Sequence, residues 1–496
     1  MAATATTSGG LLLVLSIIVP AVAILAQLLA GGRHINRIVQ LTVVAGLAIA
    51  VAIFVEVAQG GAPIVYVIGA WDPPLGIALR ADGISAAMML ATAIIVAATA
   101  LFGWKDFAQP PAEKERRLPF AFWAFLMGIW SALNALFVGN DLFNLYVALE
   151  LVTFAAVPLV CVKEGKETLQ AALRYLLFAL LGSMLYLLGT AMLYGGYGTL
   201  DISLLSAKVR PEPVALVAAA LMTFGLLAKT ALFPLHLWLP PAHAGAPAAG
   251  SAVLSALVVK GSFFLIVRLW FDAMPGIFGT LAPQFLALLG SAAILFASVV
   301  ALQQQRLKLL VAYSTVAQIG YLFFLFPLAI GTEDAWSSLA WTGGWLQVLS
   351  HAFAKAAMFM AAGLIADALG HDRIADLGGA GRVLPLTFVT FGIAGLSLMG
   401  IPPSGGFSAK WMLLLSSVMA GQWWWGVVML VGGLLAGGYV FMVLGKAFGA
   451  TGAASVRIEP VGRMRELVAL ALALTAILLG IVPLEPSGFL QIGRPA

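Results

Sequence analysis

One cysteine in 496 residues, Cys161, leaves no disulfide to form and no CxxC pair or thiolate metal cage to build. Charge is nearly as scarce: Asp, Glu, Lys and Arg together make up 9% of the chain, against roughly a quarter in a soluble domain. The formal net charge of +5 is too small to describe a nucleic-acid surface. Nicotinamide and P-loop glycine spacings are missing, and so is a GxSxG nucleophile element. No cleavable signal peptide is evident, because Leu11–Ala30 is a full-length apolar span with no basic region before it. These absences remove disulfide scaffolds, nucleotide enzymes and soluble hydrolases.

What is present is apolar. Hydrophobic residues are 62% of the chain, with 53 Gly, 24 Pro and 29 Phe. Such a chain cannot cover a soluble surface, and its apolar stretches of about 20 residues are long enough to cross a bilayer as helices. The shorter alternating segments of a membrane β-barrel are not seen. The fold class is therefore an all-α polytopic membrane protein of about 14 transmembrane helices. The spans fall near 8–31, 37–58, 82–102, 118–139, 142–162, 172–195, 214–239, 249–270, 283–302, 308–330, 345–368, 383–418, 422–447 and 465–484. Segment 63–80 is too broken by Pro and Gly to span, and is expected as a strand pair or re-entrant piece at the outer face.

Lys and Arg collect on one side of this arrangement. Arg33, Arg37, Lys105, Lys114, Arg116, Arg117, Lys163, Lys166, Arg174, Arg306, Lys308, Arg373, Arg382, Lys446, Arg457, Arg463 and Arg465 occupy one set of alternate loops and span ends. Arg80, Lys208, Arg210, Arg268 and Arg494 occupy the other. Basic loops stay cytoplasmic, so both termini are predicted outside.

Four lysines, Lys229, Lys260, Lys355 and Lys410, and one carboxylate, Glu150, fall inside spans. An ionised side chain at the centre of a membrane helix costs about 2.5–3.5 kcal/mol on insertion scales. Such groups are expected to face the bundle interior, and they have the chemistry to hand protons along. Glu150 and Lys229 form the natural pair. His351 and Lys355 are four apart, so they share a helix face with Gln347 one turn earlier. Lys355 is expected nearer the cytoplasmic end of its span, where it could partly snorkel. His236 and His243 lie around the break in PLHLWLPPAHAGAP, and Thr315 and Gln318 lie in the polar stretch AYSTVAQIGY with Ser314, Tyr313 and Tyr321. Glu150, Lys229 and Lys260 are expected to form a first half-channel, with His351 and Lys355 leading to Lys410 in a second. No zinc or haem site and no cofactor is expected. Asp141 and Asn144 are the only weak candidates for a sodium site, and an ordinary helix-end role is the alternative.

Pro234 breaks the seventh span, and Pro402-Pro403 with Gly405-Gly406 breaks the twelfth. In hydrocarbon such breaks survive only when buried in protein or lining a cavity. Two broken helices five spans apart, each beside a lysine, suggest two five-helix repeats, spans 4–8 and 9–13. The chain then divides into an N-terminal three-helix region at 1–117, a first repeat at 118–270, a second at 283–449, and a C-terminal helix and tail at 450–496.

Over nearly all of 71–449 the sequence resembles the antiporter-like proton-translocating subunits shared by respiratory complex I, membrane-bound hydrogenases and multisubunit Mrp cation/proton antiporters. The resemblance rests on DLFNLYVALEL, AKTALFPLHLWLPPAHAGAPAAGSAVLSALVVKG, LKLLVAYSTVAQIGYL, LSHAFAKAAMFMAAG and LMGIPPSGGFSAKW. It implies that the two five-helix repeats are inverted. It implies further that Glu150 and Lys229 are the first charge pair, Lys260 and His351 the central carriers, and Lys410 the terminal one. Length, WDPPLGIALRADGISAAM and lysine at 410 resemble the D-type Mrp subunits in particular. The resemblance points to a secondary-transporter subunit without catalytic chemistry of its own, or to a non-redox subunit of a proton-pumping oxidoreductase. Its partners would be protons, sodium, other membrane subunits and the lipid bilayer, in a bacterial or archaeal cell membrane.

Overall fold

The structure is a computed structural model that describes residues 5–31, 34–109, 117–162, 165–330, 334–449, 461–481 and 486–494. Arg33, Lys114, Arg116, Lys163 and Arg457 lie outside the described residues. Among the described residues thirteen helices are long and apolar enough to cross a membrane, and a broken helix stands between the eleventh and the twelfth of them. In chain order they are α1 (Gly10–Ala30), α2 (Ile35–Gly60), α3 (Gly83–Phe107), α4 (Arg117–Val138), α5 (Leu142–Val160) and α6 (Lys166–Tyr197). There follow α7, in two parts (Pro213–Thr230 and Leu239–Gly245), α8 (Ala248–Ala273), α9 (Leu281–Leu302) and α10 (Leu307–Ala329). The chain continues through α11 (Ala335–Leu369), the broken α12 (Pro385–Met399 and Gly405–Met419), α13 (Trp423–Phe448) and α14 (Arg463–Ile481). Between α2 and α3, strands β1 (Ile64–Val67) and β2 (Ala78–Ala81) pair antiparallel, Ile64 opposite Ala81.

Polar ties between helix ends sort those ends into two faces. At one, Asn36 and Gln109 join the start of α2 to the residues after α3. There Arg306 meets Asp372 at 3.0 Å, Thr387 meets Glu466, and Lys308 donates to the Ala246 carbonyl. At the other, Thr7 pairs with Val65, Asn140 with Asp201, Gln284 with Gln422, and Arg80 and Arg494 hold the C-terminal residues. The first, here called the basic face, carries Arg306, Lys308 and Arg373; the second carries Arg80, Arg268 and Arg494.

The breaks follow from local backbone. Ala231 caps the first part of α7 at φ 58, in the left-handed region, and Pro234 follows where the helix would continue. The seventh span therefore stops at Thr230 and resumes at Leu239, where the sequence alone suggests one run to 239. In α12 the helix ends at Gly400, φ 81, and restarts at the Ser404 cap. Two helices begin earlier than the apolar pattern suggests: α6 at Lys166 and α11 at Ala335. In α11, Gly343 and Gly344 fall in the ten residues before the expected start at 345. They are packing positions, where an added Cβ would meet Met412 and Leu325 at 2.9 Å.

In lipid, helices associate by close packing at small residues and not by hydrophobic exclusion. Gly182 of α6 and Gly225 of α7 show this: a Cβ on either would lie 2.5 or 2.3 Å from the other's carbonyl oxygen. α8 and α11 run through the middle of the bundle, nearly all their residues buried, whereas α1, α2 and α13 leave broad faces exposed. Ionisable groups on α8 and α11 are thus withheld from lipid.

Gly225→Ala should destabilise the folded chain by about 1–3 kcal/mol through overpacking, read as earlier thermal unfolding in detergent. Gly195→Ala, with nothing near its Cβ, should not lower stability.

Candidate functional site

Glu150 sits on α5, whose start is fixed by Asp141 accepting the amides of Phe143 and Asn144 at 2.9 and 3.0 Å. That capping role occupies Asp141, the first sodium-site candidate. Asn144 has only its backbone amide in this arrangement, and no group of three His, Cys, Asp or Glu able to hold a metal occurs among the described residues. Two and a half turns along, Glu150 Oε1 accepts the Lys229 ammonium at 2.9 Å. The same ammonium donates to Thr153 Oγ1 at 2.9 Å, and the Ser183 hydroxyl donates to Glu150. Three helices, α5, α6 and α7, converge on this pair. Thr153 lies one turn from Glu150 on α5, a spacing readable in the sequence; nothing marked Ser183 beyond its being polar in an apolar helix.

The other buried lysines have no carboxylate within ion-pair distance among the described residues. Lys260 lies in α8 between two π-helical stretches, Leu254–Val258 and Arg268–Ala273. Wider turns of this kind leave carbonyls open to other donors, and Lys260 donates to the carbonyl of Ser255. The Ser255 hydroxyl is 2.9 Å from that of Thr315 on α10. Lys260 is thus tied toward α10, whereas the sequence grouped it with Glu150 and Lys229; α8 meets α7 separately, where Thr230 donates to Ser262 at 3.0 Å.

Lys355 is fully buried and does not snorkel, contrary to its expected place near a span end. Lys355 stands fourteen residues, about four helical turns, before the basic-face end of α11 at Leu369, too far for its side chain to reach that face. Its ammonium donates to the Val311 carbonyl at 2.9 Å and to the Ser314 hydroxyl. One and two turns along the same α11 face are His351 and Gln347. Gln347 donates to Gln318 at 3.1 Å, and Gln318 donates to the Leu398 carbonyl at 3.0 Å. Lys410 donates to that same carbonyl and lies 4.0 Å over the Tyr321 ring. The break in α12 accounts for the shared acceptor, since the last carbonyls of a helix have no intrahelical donor.

α10 therefore lines up Val311, Ser314, Thr315, Gln318 and Tyr321 against Lys260, Lys355 and Lys410. His351 is buried in the midst of them, with no protein hydrogen bond to either ring nitrogen among the described residues. His236 is buried beside Phe233, and His243 is fully buried against Phe359, ring centroids 4.5 Å apart. A cavity of about 760 Å3 between α12 and α13 reaches Lys410.

Two ionic clusters escaped the sequence reading. Arg268, taken for a residue at a span end, is buried and binds Asp82 at 2.6 Å and Asp272 at 2.7 Å. Burial pushes Asp82 upward, but the Arg268 guanidinium outweighs it and holds the carboxyl below its ordinary value. Arg465, taken for the first residue of the last span, is buried and joins Asp106 of α3 to Asp367 of α11 at 3.0 Å each. The Arg268–Asp272 spacing of four was a legible signal; the partners on distant helices were not.

A family model described as the transmembrane region of NADH:quinone oxidoreductase/Mrp antiporter matches residues 139–436. The NADH-quinone oxidoreductase subunit N of Desulforudis audaxviator is 34% identical over 82% of this chain and 79% of its own. The D-type Na(+)/H(+) antiporter subunit of Alkalihalophilus pseudofirmus is 31% identical over 82% and 80%. In structure, a chain of the Mrp complex from a Dietzia species aligns with TM-score 0.86 at 24% identity, over 98% of this chain and 97% of that one. A chain of an archaeal membrane-bound sulfane sulfur reductase also aligns at 0.86, with 27% identity over 97% and 96%.

Lys229→Met should strand the Glu150 carboxylate and destabilise the fold by about 3 kcal/mol. Adding Glu150→Gln should restore most of that loss, as measured by thermal unfolding of the purified protein.

Proposed function

The chain belongs to the NADH:quinone oxidoreductase/Mrp antiporter membrane family, and on that premise we propose that it carries protons across the bilayer as one subunit of a multisubunit cation/proton antiporter. The supporting observation is the succession of buried ionisable and polar groups from Glu150 to Lys410, spread over α5 to α12. Ionisable side chains are expensive within a membrane and mark ion pathways where they occur together.

Glu150, Lys229, Lys260, His351, Lys355 and Lys410 are the carriers in this reading. Thr315 and Gln318 hold the path between them, and His236 and His243 are secondary. Each transfer moves a proton from one carrier to the next vacated one, so the Glu150–Lys229 pair would respond to the charge state of its neighbours. Sodium or another monovalent cation is handled wholly or partly by partner subunits. The basic face is cytoplasmic by the positive-inside rule, which puts the described ends of the chain outside a bacterial or archaeal cell membrane.

A second reading, a proton-pumping subunit of a redox-driven complex, is favoured by the 34% identity to a protein named NADH-quinone oxidoreductase subunit N. The two separate in vesicles that contain the complete complex. A sodium gradient should drive proton movement under the first reading, and only an electron donor and acceptor should do so under the second.

In the same vesicles, Glu150→Ala should reduce proton transport at least about 100-fold with the complex still assembled. Wild-type rates would remove Glu150 from the path. Lys410→Glu should retain more transport than Lys410→Ala if position 410 needs a titratable group; equal loss would show that the positive charge itself is required.

A further inference from the structure

Helix α13 carries a single hydroxyl side chain, Tyr439, in an apolar run whose only charged residue is Lys446. None of the motifs that carry the family resemblance includes it, and the segment that the family model matches ends before it, at 436. The side chain is fully buried. Gly432 and Ala436, two turns and one turn earlier, are buried on the same helix face. At Gly432 the α13 backbone comes so close to α10 that an added Cβ would lie 2.3 Å from the Tyr321 hydroxyl. That hydroxyl donates to the Met429 carbonyl of α13 at 3.2 Å. Small residues and one polar tie thus hold α13 against α10.

This packing brings the Tyr439 hydroxyl to Ser314 and Gln318, which are four apart and share one α10 face. Neither contact has the geometry of a direct hydrogen bond, and no other protein group pairs with the hydroxyl among the described residues. A buried tyrosine hydroxyl ordinarily has a partner. The two side chains it meets serve different lysines. Ser314 accepts the Lys355 ammonium. Gln318 donates at 3.0 Å to the Leu398 carbonyl, which also accepts Lys410. Thr315, the hydroxyl between them in sequence, is turned instead to Ser255 and to the Val311 carbonyl of its own helix.

We propose that Tyr439 is a proton link between Lys355 and Lys410, taking the proton through Ser314 and passing it on through a water beside Gln318. The proposal rests on the proton-carrying reading above. The Lys355 ammonium gives a proton to the Ser314 oxygen as Ser314 gives its own to the Tyr439 oxygen. Tyr439 releases its original proton to the water, and the water releases one to a neutral Lys410 amine. Lys355 ends as an amine and Lys410 as an ammonium. Both hydroxyls and the water keep their proton counts, and rotation of the hydroxyls about their C–O bonds resets them. A phenol suits the step because it is at once donor and acceptor. No electron or further reactant enters.

The test uses the complete complex in vesicles. Tyr439→Phe keeps the ring in its packing and removes only the oxygen. The complex should assemble and unfold at the wild-type temperature, while proton transport falls about 100-fold. Wild-type transport by that complex overturns the proposal. Placing 4-aminophenylalanine at position 439 puts a donor and acceptor back where the hydroxyl was, and should restore part of the rate. No recovery would assign Tyr439 to packing and reject the link. Ser314→Ala cuts the same link from the other side and decides the matter if Tyr439→Phe fails to assemble: a comparable loss supports the proposal, and an undiminished rate defeats it. Where both assemble, the double variant should lose no more than either alone, since the two act in series; losses that multiply contradict this. Glu150→Ala separates the two levels of inference. Normal transport there removes the relay and the link with it, whereas an inactive Glu150→Ala beside a normal Tyr439→Phe rejects only the link.

Discussion

The arrangement depends on how a bilayer protein can hold four lysine ammonium groups away from water. Among the described residues only Lys229 of the four has a carboxylate partner, Glu150. Lys260, Lys355 and Lys410 are held by backbone carbonyls and hydroxyls, namely Ser255, Val311 with Ser314, and Leu398. Carbonyls free to accept from a side chain are uncommon inside a regular helix, because each is taken by the amide four residues on. Irregularities of the bundle supply two of the three, whereas Val311 accepts from within the regular helix α10. The first π-helical stretch of α8 contains Ser255, and the break in α12 frees Leu398. The broken helices are thus part of the site's chemistry, and the proline and glycine that make them belong with its functional residues.

The clusters around Arg268 and Arg465 have another role. Each guanidinium bridges two carboxylates on different elements, which suits its fixed planar fork. Arg268 fixes the end of α8 to the start of α3, and Arg465 ties α11 to α3 and α14. Removing Arg268 would leave Asp272 without its counter-ion and Asp82 with only the longer 3.8 Å contact to Arg80. The two clusters brace the opposite ends of the two buried helices that carry Lys260, His351 and Lys355, so the spacing of those groups is set partly from outside the path.

Much of this was legible in the sequence because lipid imposes simple rules. Hydropathy located the spans, basic residues sorted their ends, and Pro234 and Pro402-Pro403 marked the breaks. Ionisable residues in apolar runs picked out Glu150 and the four lysines. Pairing across helices was not legible: Thr153, Ser183 and Ser255 are ordinary small polar residues until the bundle brings a lysine to them. Burial at span ends was equally hidden, which is why Arg268 and Arg465 read as ordinary span-end charges. The inverted relation between the repeats remains what the resemblance implies, and the matching placement of two broken helices supports it.

The central claim is that Glu150, Lys229, Lys260, His351, Lys355 and Lys410 are joined in one continuous polar route. The direct test is an electron cryomicroscopy map of the assembled complex, sharp enough to show ordered water. The account predicts waters bridging the intervals between Lys229 and Lys260, and between Lys355, His351 and Gln318. A well-ordered interior in which apolar side chains close those intervals, leaving the lysines in separate dry contacts, would contradict it.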